Sequence, residues 1–113
     1  MPYICVKTNT AIPANKEERI KAALGAAVSA IGKPEAWLMV ELQDNCRLYF
    51  RGSTAQPIAY SEVKLLGRAG RASYEKLTEK ICGILNEELN IDPSNVYVKY
   101  EEVENWGYNN GLF

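Results

Sequence analysis

The sequence predicts an α/β fold in which two helices cover one face of a four-stranded mixed sheet, an arrangement that some schemes class as α+β. Two observations lead to this prediction. A strand–helix–strand pattern occurs twice along the chain, at an offset of about 57 residues, which indicates a duplicated βαβ unit. The 113 residues are 47% hydrophobic and 24% charged, which suits a single globular domain over residues 1–113.

The first unit is predicted to contain two strands joined by a helix. Residues 3–8 alternate apolar and polar side chains, and residues 37–42 form a second strongly apolar run, so both are predicted strands. Apolar residues at helical spacing predict a helix over 15–31. Its boundaries are a capping-box pair at the start and a glycine and a proline at the end, namely Asn15 with Glu18 and Gly32 with Pro34.

The second unit is predicted to repeat this order after a hairpin. Residues 47–50 are predicted to return as a short strand after a turn at 43–45. A strand over 58–66 then leads through the glycine-bounded turn 67–70 into a helix over 71–89. The run Val96–Tyr100 is predicted to be the last long strand, and Trp106–Tyr108 a short one near the end.

Helices on one face leave the other face of the predicted sheet without internal cover. We expect Met39 and Val98, together with either Ile4 or its alternating neighbours on the first strand, to lie on that open face, where an apolar patch would be rare in a monomer. The predicted short strands 47–50 and 106–108 also have unpaired edges. These features favour a closed homo-oligomer.

Composition excludes several functional classes. A net charge of −1 provides no field for binding nucleic acid, and no apolar run is long enough for a membrane span or a signal peptide. The chain contains no histidine, which excludes Ser-His-Asp and Cys-His nucleophiles and His-ligated metals. Cys5, Cys46 and Cys82 are odd in number and form no Cys-x-x-Cys, so we expect free thiols and no metal site. No cofactor is expected, because the chain lacks the glycine pattern of a nucleotide-binding loop. A cytoplasmic location is expected, or secretion without a signal peptide.

Pro2 and Lys33 are the first candidates for chemistry. Removal of Met1 would turn Pro2 into a secondary amine, and an apolar pocket or a nearby cation would favour its neutral, basic form. Taken alone, Pro2 is more typical of a proline that starts an edge strand, where its missing N–H donor costs nothing. Lys33 follows the glycine that ends the first helix, where a lysine either complements the helix dipole or binds a substrate carboxylate.

For the other candidate site residues, packing or solvation is the more common role. Tyr97 and Tyr108 either line a pocket or serve as packing residues of strands. Arg51, Arg68 and Arg71 are typical solvated cations, and the segment 67–70 lacks the spacing of a phosphate-binding loop.

Seven short segments together resemble the family of macrophage migration inhibitory factor and D-dopachrome tautomerase, within the tautomerase superfamily. The resemblance covers essentially the whole chain. The segments are Met1-Pro2, Lys7-Thr8-Asn9, Ile31-Gly32-Lys33-Pro34, Phe50-Arg51-Gly52-Ser53, Cys82-Gly83-Ile84-Leu85, Val96-Tyr97-Val98 and Trp106-Gly107-Tyr108-Asn109-Asn110.

The resemblance implies a homotrimer with its sheets around a central barrel and three active sites between subunits. It implies that Pro2 is the catalytic base and that Lys33 binds the substrate carboxylate. It further implies substrate contacts from the backbone of Leu65, from Tyr97 of a neighbouring subunit, from the nearby Lys99, and from an aromatic pocket at Tyr108 and Phe113.

Several residues depart from the family pattern. Residues 57–60 contain no Cys-x-x-Cys, so thiol oxidoreductase activity is not implied. Arg51, Lys64 and Lys99 add positive charge near the implied pocket, which affects substrate preference rather than proton transfer.

The expected function is therefore keto–enol tautomerisation of an aryl pyruvate-like 2-oxo acid, of the phenylpyruvate or dopachrome tautomerase type. The alternative is a cytokine-like signalling or binding protein that recognises a cell-surface receptor and keeps a vestigial site. Dehalogenation, a third chemistry of the superfamily, needs catalytic partners that the sequence does not place.

Overall fold

The computed structural model describes residues 1–113 and contains a four-stranded mixed sheet with two long helices on one face. Its strands and helices, in chain order, are β1 (Pro2–Thr8), α1 (Ala14–Ala27), β2 (Met39–Gln43), β3 (Ala59–Leu66), α2 (Arg71–Leu89), β4 (Val96–Val103), β5 (Gly107–Tyr108) and β6 (Gly111–Leu112). The sheet order is β2-β1-β3-β4; β5 and β6 pair with each other separately. The predicted fold class is confirmed.

The duplication is visible in the element boundaries. An offset of about 57 residues carries the starts of β1, α1 and β2 onto the starts of β3, α2 and β4. Within each unit the two strands are parallel, and the units meet through the antiparallel pairing of β1 with β3. The sheet therefore has two inner strands, one from each unit, and two edge strands.

The core lies between the sheet and the helices. Along β3 the side chains alternate strictly between buried and half-buried, as predicted for a strand with one covered face. The amphipathic stripes of both helices pack on that face, and the largest buried side chains are Ile4, Ile20, Leu24, Leu65, Leu77, Ile81, Leu85 and Ile91. No helix combines the length and the apolar character that crossing a membrane requires.

The first helix begins and ends by backbone geometry rather than by a side-chain cap. It starts at Ala14 with Pro13 in the extended N-cap position and no side-chain cap, so the predicted Asn15–Glu18 capping box is wrong. The extended Pro13 allows the helix to begin one residue early, which places Asn15 inside the first turn. At the other end, residues 28–31 tighten into a 3₁₀ turn, and Gly32 ends it at a φ of 71°.

Two segments predicted to be strands have other structures. Trp37 belongs to a 3₁₀ turn over Glu35–Trp37, and β2 begins only at Met39. The predicted strand 47–50 is wrong: its only ladder contact is a bridge from Phe50 to Ser53 around a tight turn. The two backbone hydrogen bonds of that bridge, 2.8 and 3.0 Å long, occupy groups that a strand would offer to a neighbour.

The C-terminal segment forms a tight hairpin. The predicted strand 106–108 is shortened to β5, which pairs with β6. Asn109 and Asn110 between them have φ values of 51° and 69°, as the two central residues of a type I′ turn require. This turn determines where the final aromatic residues lie.

The open face of the sheet is polar, contrary to the sequence prediction. Ile4 pairs with Val40 and Val63, and all three contribute to the core, as does Val98. Of the expected apolar patch only Met39 remains, at 67% exposed. By strand alternation the open face carries mainly polar and charged side chains: Tyr3, Lys7, Glu41, Glu62, Lys64, Lys99 and Glu101.

Two buried hydroxyl groups differ in their hydrogen bonding, so we expect their removal to change the free energy of unfolding differently. The Oγ of Ser61 is buried without a hydrogen-bond partner, whereas the Oγ1 of Thr8 donates to the carbonyl of Ile58 at 2.7 Å. We expect Ser61→Ala to leave the free energy of unfolding unchanged or raise it by up to about 1 kcal/mol, and Thr8→Val to lower it by about 1–3 kcal/mol. Urea unfolding at one fixed protein concentration measures both, and a Ser61→Ala loss as large as that of Thr8→Val contradicts the prediction.

Candidate active site

The amino terminus lies at the end of an inner strand. Pro2 is buried and begins β1, directly opposite Leu65 of β3 in the antiparallel register. The Leu66 N–H donates to the carbonyl oxygen of Met1 at 3.2 Å, so the residue before the strand is also held in place. The sheet thereby positions the start of the chain.

Lys33 lies beside this terminus. The left-handed backbone of Gly32 reverses the chain after the first helix, and the Nζ of Lys33 then donates to the carbonyl of Leu66 at 3.4 Å. Burial, and after it the charge of Lys33, hold the pKa of the Met1 α-amino group below its ordinary value. The structure thus brings together the two residues that the sequence singled out first, Pro2 and Lys33.

A groove of about 500 Å³ opens at Pro2. Apolar and aromatic side chains dominate its lining, which consists of Met1, Pro2, Tyr3, Ala36, Trp37, Leu38, Met39, Lys64, Trp106, Gly107 and Tyr108. Such a lining, with a few polar groups, is typical of a small-molecule site.

Three aromatic rings form a cluster at the groove. The ring of Trp37 meets Tyr108 edge-on with centroids 5.0 Å apart and meets Phe113 at 6.0 Å, and Tyr108 stacks on Phe113 at 5.5 Å. The type I′ hairpin places Tyr108 and Phe113 there, and the Phe113 N–H donates to the carbonyl of Trp106 at 3.1 Å. The predicted aromatic pair, Tyr108 and Phe113, is thus close together in the fold.

Sequence reasoning missed most of the lining, and the largest of the missed side chains are Tyr3, Trp37, Met39 and Trp106. The sequence pattern predicts a strand at Trp37, although Pro34, three residues earlier, is a signal for a turn. Trp106 stands out in the sequence only as part of the segment Trp106-Gly107-Tyr108-Asn109-Asn110. Nothing in the local pattern shows that these two distant tryptophans face the same groove.

Two predicted site residues, Tyr97 and Lys99, lie away from the groove in the folded chain. Tyr97 pairs with Tyr60, which lies five residues along β3 from the level of Pro2, roughly 17 Å away. Tyr97 is 62% exposed and packs edge-on against Phe50 at 5.0 Å. Lys99 pairs with Glu101 at 3.3 Å and with Glu62 at 3.9 Å. Within one chain, neither Tyr97 nor Lys99 is part of the groove.

The side chain of Leu65 is fully buried in the core, so only its backbone can approach a ligand near Pro2. Of the three added cations, Lys64 lines the groove. Arg51 donates to the carbonyl of Ser94 at 3.1 Å and lies over the Phe50 ring, so it belongs to the far end of the sheet.

The thiols offer no alternative nucleophile at the groove. All three cysteines are unpaired, and none lines the groove. Burial raises the pKa of both Cys5 and Cys82, which disfavours their thiolate forms. The structure therefore brings the terminal amine and Lys33 together beside an aromatic wall.

The duplicated βαβ unit and its two-layer architecture place the chain in a class of small α/β proteins. In this chain an inner strand begins with a proline, which lies beside a lysine and an aromatic groove. The family model described as macrophage migration inhibitory factor matches residues 1–111. The chain belongs to the macrophage migration inhibitory factor family, within the tautomerase superfamily, as its resemblance predicted.

Individual relatives agree with this assignment. Macrophage migration inhibitory factor of Rattus norvegicus is 28% identical over 100% of this chain and 99% of its own length. Among solved structures, Leishmania major MIF2 superposes with a TM-score of 0.93 at 28% identity, covering 100% of this chain and 97% of its own. The homologue from Prochlorococcus marinus has a TM-score of 0.89 at 26% identity, with 98% of each chain covered.

The proximity of Lys33 to the terminus predicts a measurable pKa change. In the chain that retains Met1, Lys33→Met removes a neighbouring positive charge, so the pKa of the α-amino group should rise toward its ordinary value. NMR titration of protein labelled with ¹⁵N-methionine follows this group. Lys76→Met, on the exposed side of α2, is the control and should leave the pKa unchanged. An equal pKa in the Lys33 variant and the parent protein would contradict the geometry.

Proposed function

We propose that this protein catalyses the keto–enol tautomerisation of aryl pyruvate-like 2-oxo acids, with the amine of processed Pro2 as the base. One observation carries the proposal: a buried proline at the start of an inner strand lies beside Lys33 and at the mouth of an aromatic groove. The chain has no histidine, and this amine takes the role of a base that works near neutral pH.

The base depends on removal of Met1. With Met1 attached, the Pro2 nitrogen is a tertiary amide whose lone pair is delocalised and not basic. Once Met1 is removed, Pro2 carries a secondary amine in the environment that now disfavours the charged form of the Met1 amine. Burial and the Lys33 charge then favour the neutral amine, which is the form able to accept a proton.

The proposed step moves one proton without any redox change. The Pro2 nitrogen accepts a proton from the carbon beside the ketone, and the released electron pair forms the carbon–carbon double bond of the enol. The Pro2 ammonium then gives its proton to the carbonyl oxygen, directly or through water, so the amine is neutral again and substrate and product are isomers. Lys33 binds the substrate carboxylate through a charge-assisted hydrogen bond.

The groove orients the rest of the substrate. Trp37, Tyr108 and Phe113 offer ring faces and edges to an aryl group, and their bulk excludes water from the amine. The backbone of Leu65, opposite Pro2, supplies the remaining contact near the reacting carbon.

The complete site requires a homotrimer in this proposal. Tyr97 and Lys99 belong to the site by family resemblance, yet one chain holds Tyr97 at the opposite end of the sheet from Pro2. Both edge strands, β2 and β4, have an unpaired side, which a neighbouring copy can pair. A closed three-fold ring brings the Tyr97 end of one chain to the Pro2 end of the next.

Activity should therefore depend on Met1 removal. We expect protein with a free Pro2, verified by intact mass, to convert phenylpyruvate between keto and enol forms, and protein retaining Met1 to lose most of this activity. Ultraviolet absorbance of the enol follows the reaction. Equal rates for the two forms would exclude Pro2 as the base, and no activity in either form would favour the signalling or binding role instead.

The shared site predicts a particle of roughly 38 kDa, three times the 12.6 kDa chain. Light scattering at micromolar concentration measures this mass. Mixing two inactive proteins, one retaining Met1 and one carrying Tyr97→Leu, should restore part of the activity after subunit exchange, because some interfaces then pair a free Pro2 with an intact Tyr97. A stable, active monomer would refute the shared site.

A further inference from the structure

We propose that the groove selects 2-oxo acids that carry a second anionic group remote from the first carboxylate, and that Lys64 binds this second group. The inference rests on the proposed function, because it names the substrate class of the same site. It depends on the position of Lys64 and on what surrounds its ammonium group.

Lys64 is half-buried on the open face of β3 and lines the groove together with Trp37 and Tyr108. In the sheet it lies between Tyr3 of β1 and Glu101 of β4. Its Nζ is 6.0 Å from the centre of the Tyr3 ring, so the side chain reaches toward β1 and the groove.

No carboxylate neutralises this ammonium group. Three carboxylates share its face of the sheet, and each has another partner. Glu41 accepts from the hydroxyl of Tyr3 and from Gln43. Glu62 accepts from Tyr60 at 3.2 Å, and Glu101 pairs with Lys99 at 3.3 Å although it lies directly across from Lys64.

Lys33 is also without a carboxylate partner; its Nζ contacts only the carbonyl of Leu66. The six ion pairs of the chain involve neither Lys33 nor Lys64. The proposed site therefore holds two ammonium groups without a carboxylate partner. Lys33 lies beside the amino terminus, and Lys64 lies on the wall of the groove. An elongated dianion with an apolar middle satisfies both charges and the aromatic lining together.

Two matched substrates test this inference. 4-Carboxyphenylpyruvate carries the second anion, and 4-carbamoylphenylpyruvate has nearly the same shape without the charge. For processed protein we expect kcat/KM to be on the order of 10-fold higher for the carboxylate. Lys64→Gln should abolish most of this preference, because it lowers kcat/KM for the carboxylate much more than for the carbamoyl compound. The control variant Lys76→Gln, on α2, should keep the preference.

A binding measurement separates this inference from the proposed function. Calorimetry with the same two compounds gives their dissociation constants even if neither is turned over. Inactive protein that binds the carboxylate more tightly, and loses that preference in Lys64→Gln, would overturn the tautomerase role and support the dianion site. Equal affinity for both compounds, or a preference that survives Lys64→Gln, overturns the inference whatever the activity.

Discussion

The antiparallel pairing of β1 with β3 is the interaction on which the rest of the structure depends. It joins the two βαβ units into one sheet and makes the first strand of the chain an inner strand. An inner strand has hydrogen-bonded neighbours on both sides, so its first residue is held far more firmly than a chain terminus usually is. Pro2 is buried opposite Leu65 for this reason.

The chemistry of the site follows from that placement. A terminal amine exposed to water keeps its ordinary pKa, whereas here partial burial and the nearby Lys33 disfavour the ammonium form. Lys33 reaches this position because Gly32 turns the chain back toward the sheet immediately after the first helix. The left-handed backbone of Gly32 thus places the charge of Lys33 where it lowers the pKa of the terminal amine.

The two faces of the sheet carry different kinds of side chain. The covered face packs against both helices in one continuous apolar core. The open face is a network of charged and phenolic side chains, in which Lys99 bridges Glu62 and Glu101 while Lys64 is left without a carboxylate. A neighbouring copy that covers this face therefore meets polar groups and unpaired strand edges rather than an apolar patch.

The amino-acid sequence by itself determined the duplicated βαβ pattern, the helix-ending role of Gly32 and the candidate pair Pro2 and Lys33, because hydrophobic periodicity and special backbone residues act locally. Only the tertiary structure decided which face each strand residue takes, as Ile4 and Val98 show, since that depends on the register between strands. It also decided that Trp37 and Trp106 line one groove with Lys64, although the two tryptophans are 69 residues apart in the sequence. Local patterns carry no information on such encounters, which arise only when the packed sheet and the C-terminal hairpin bring distant segments together.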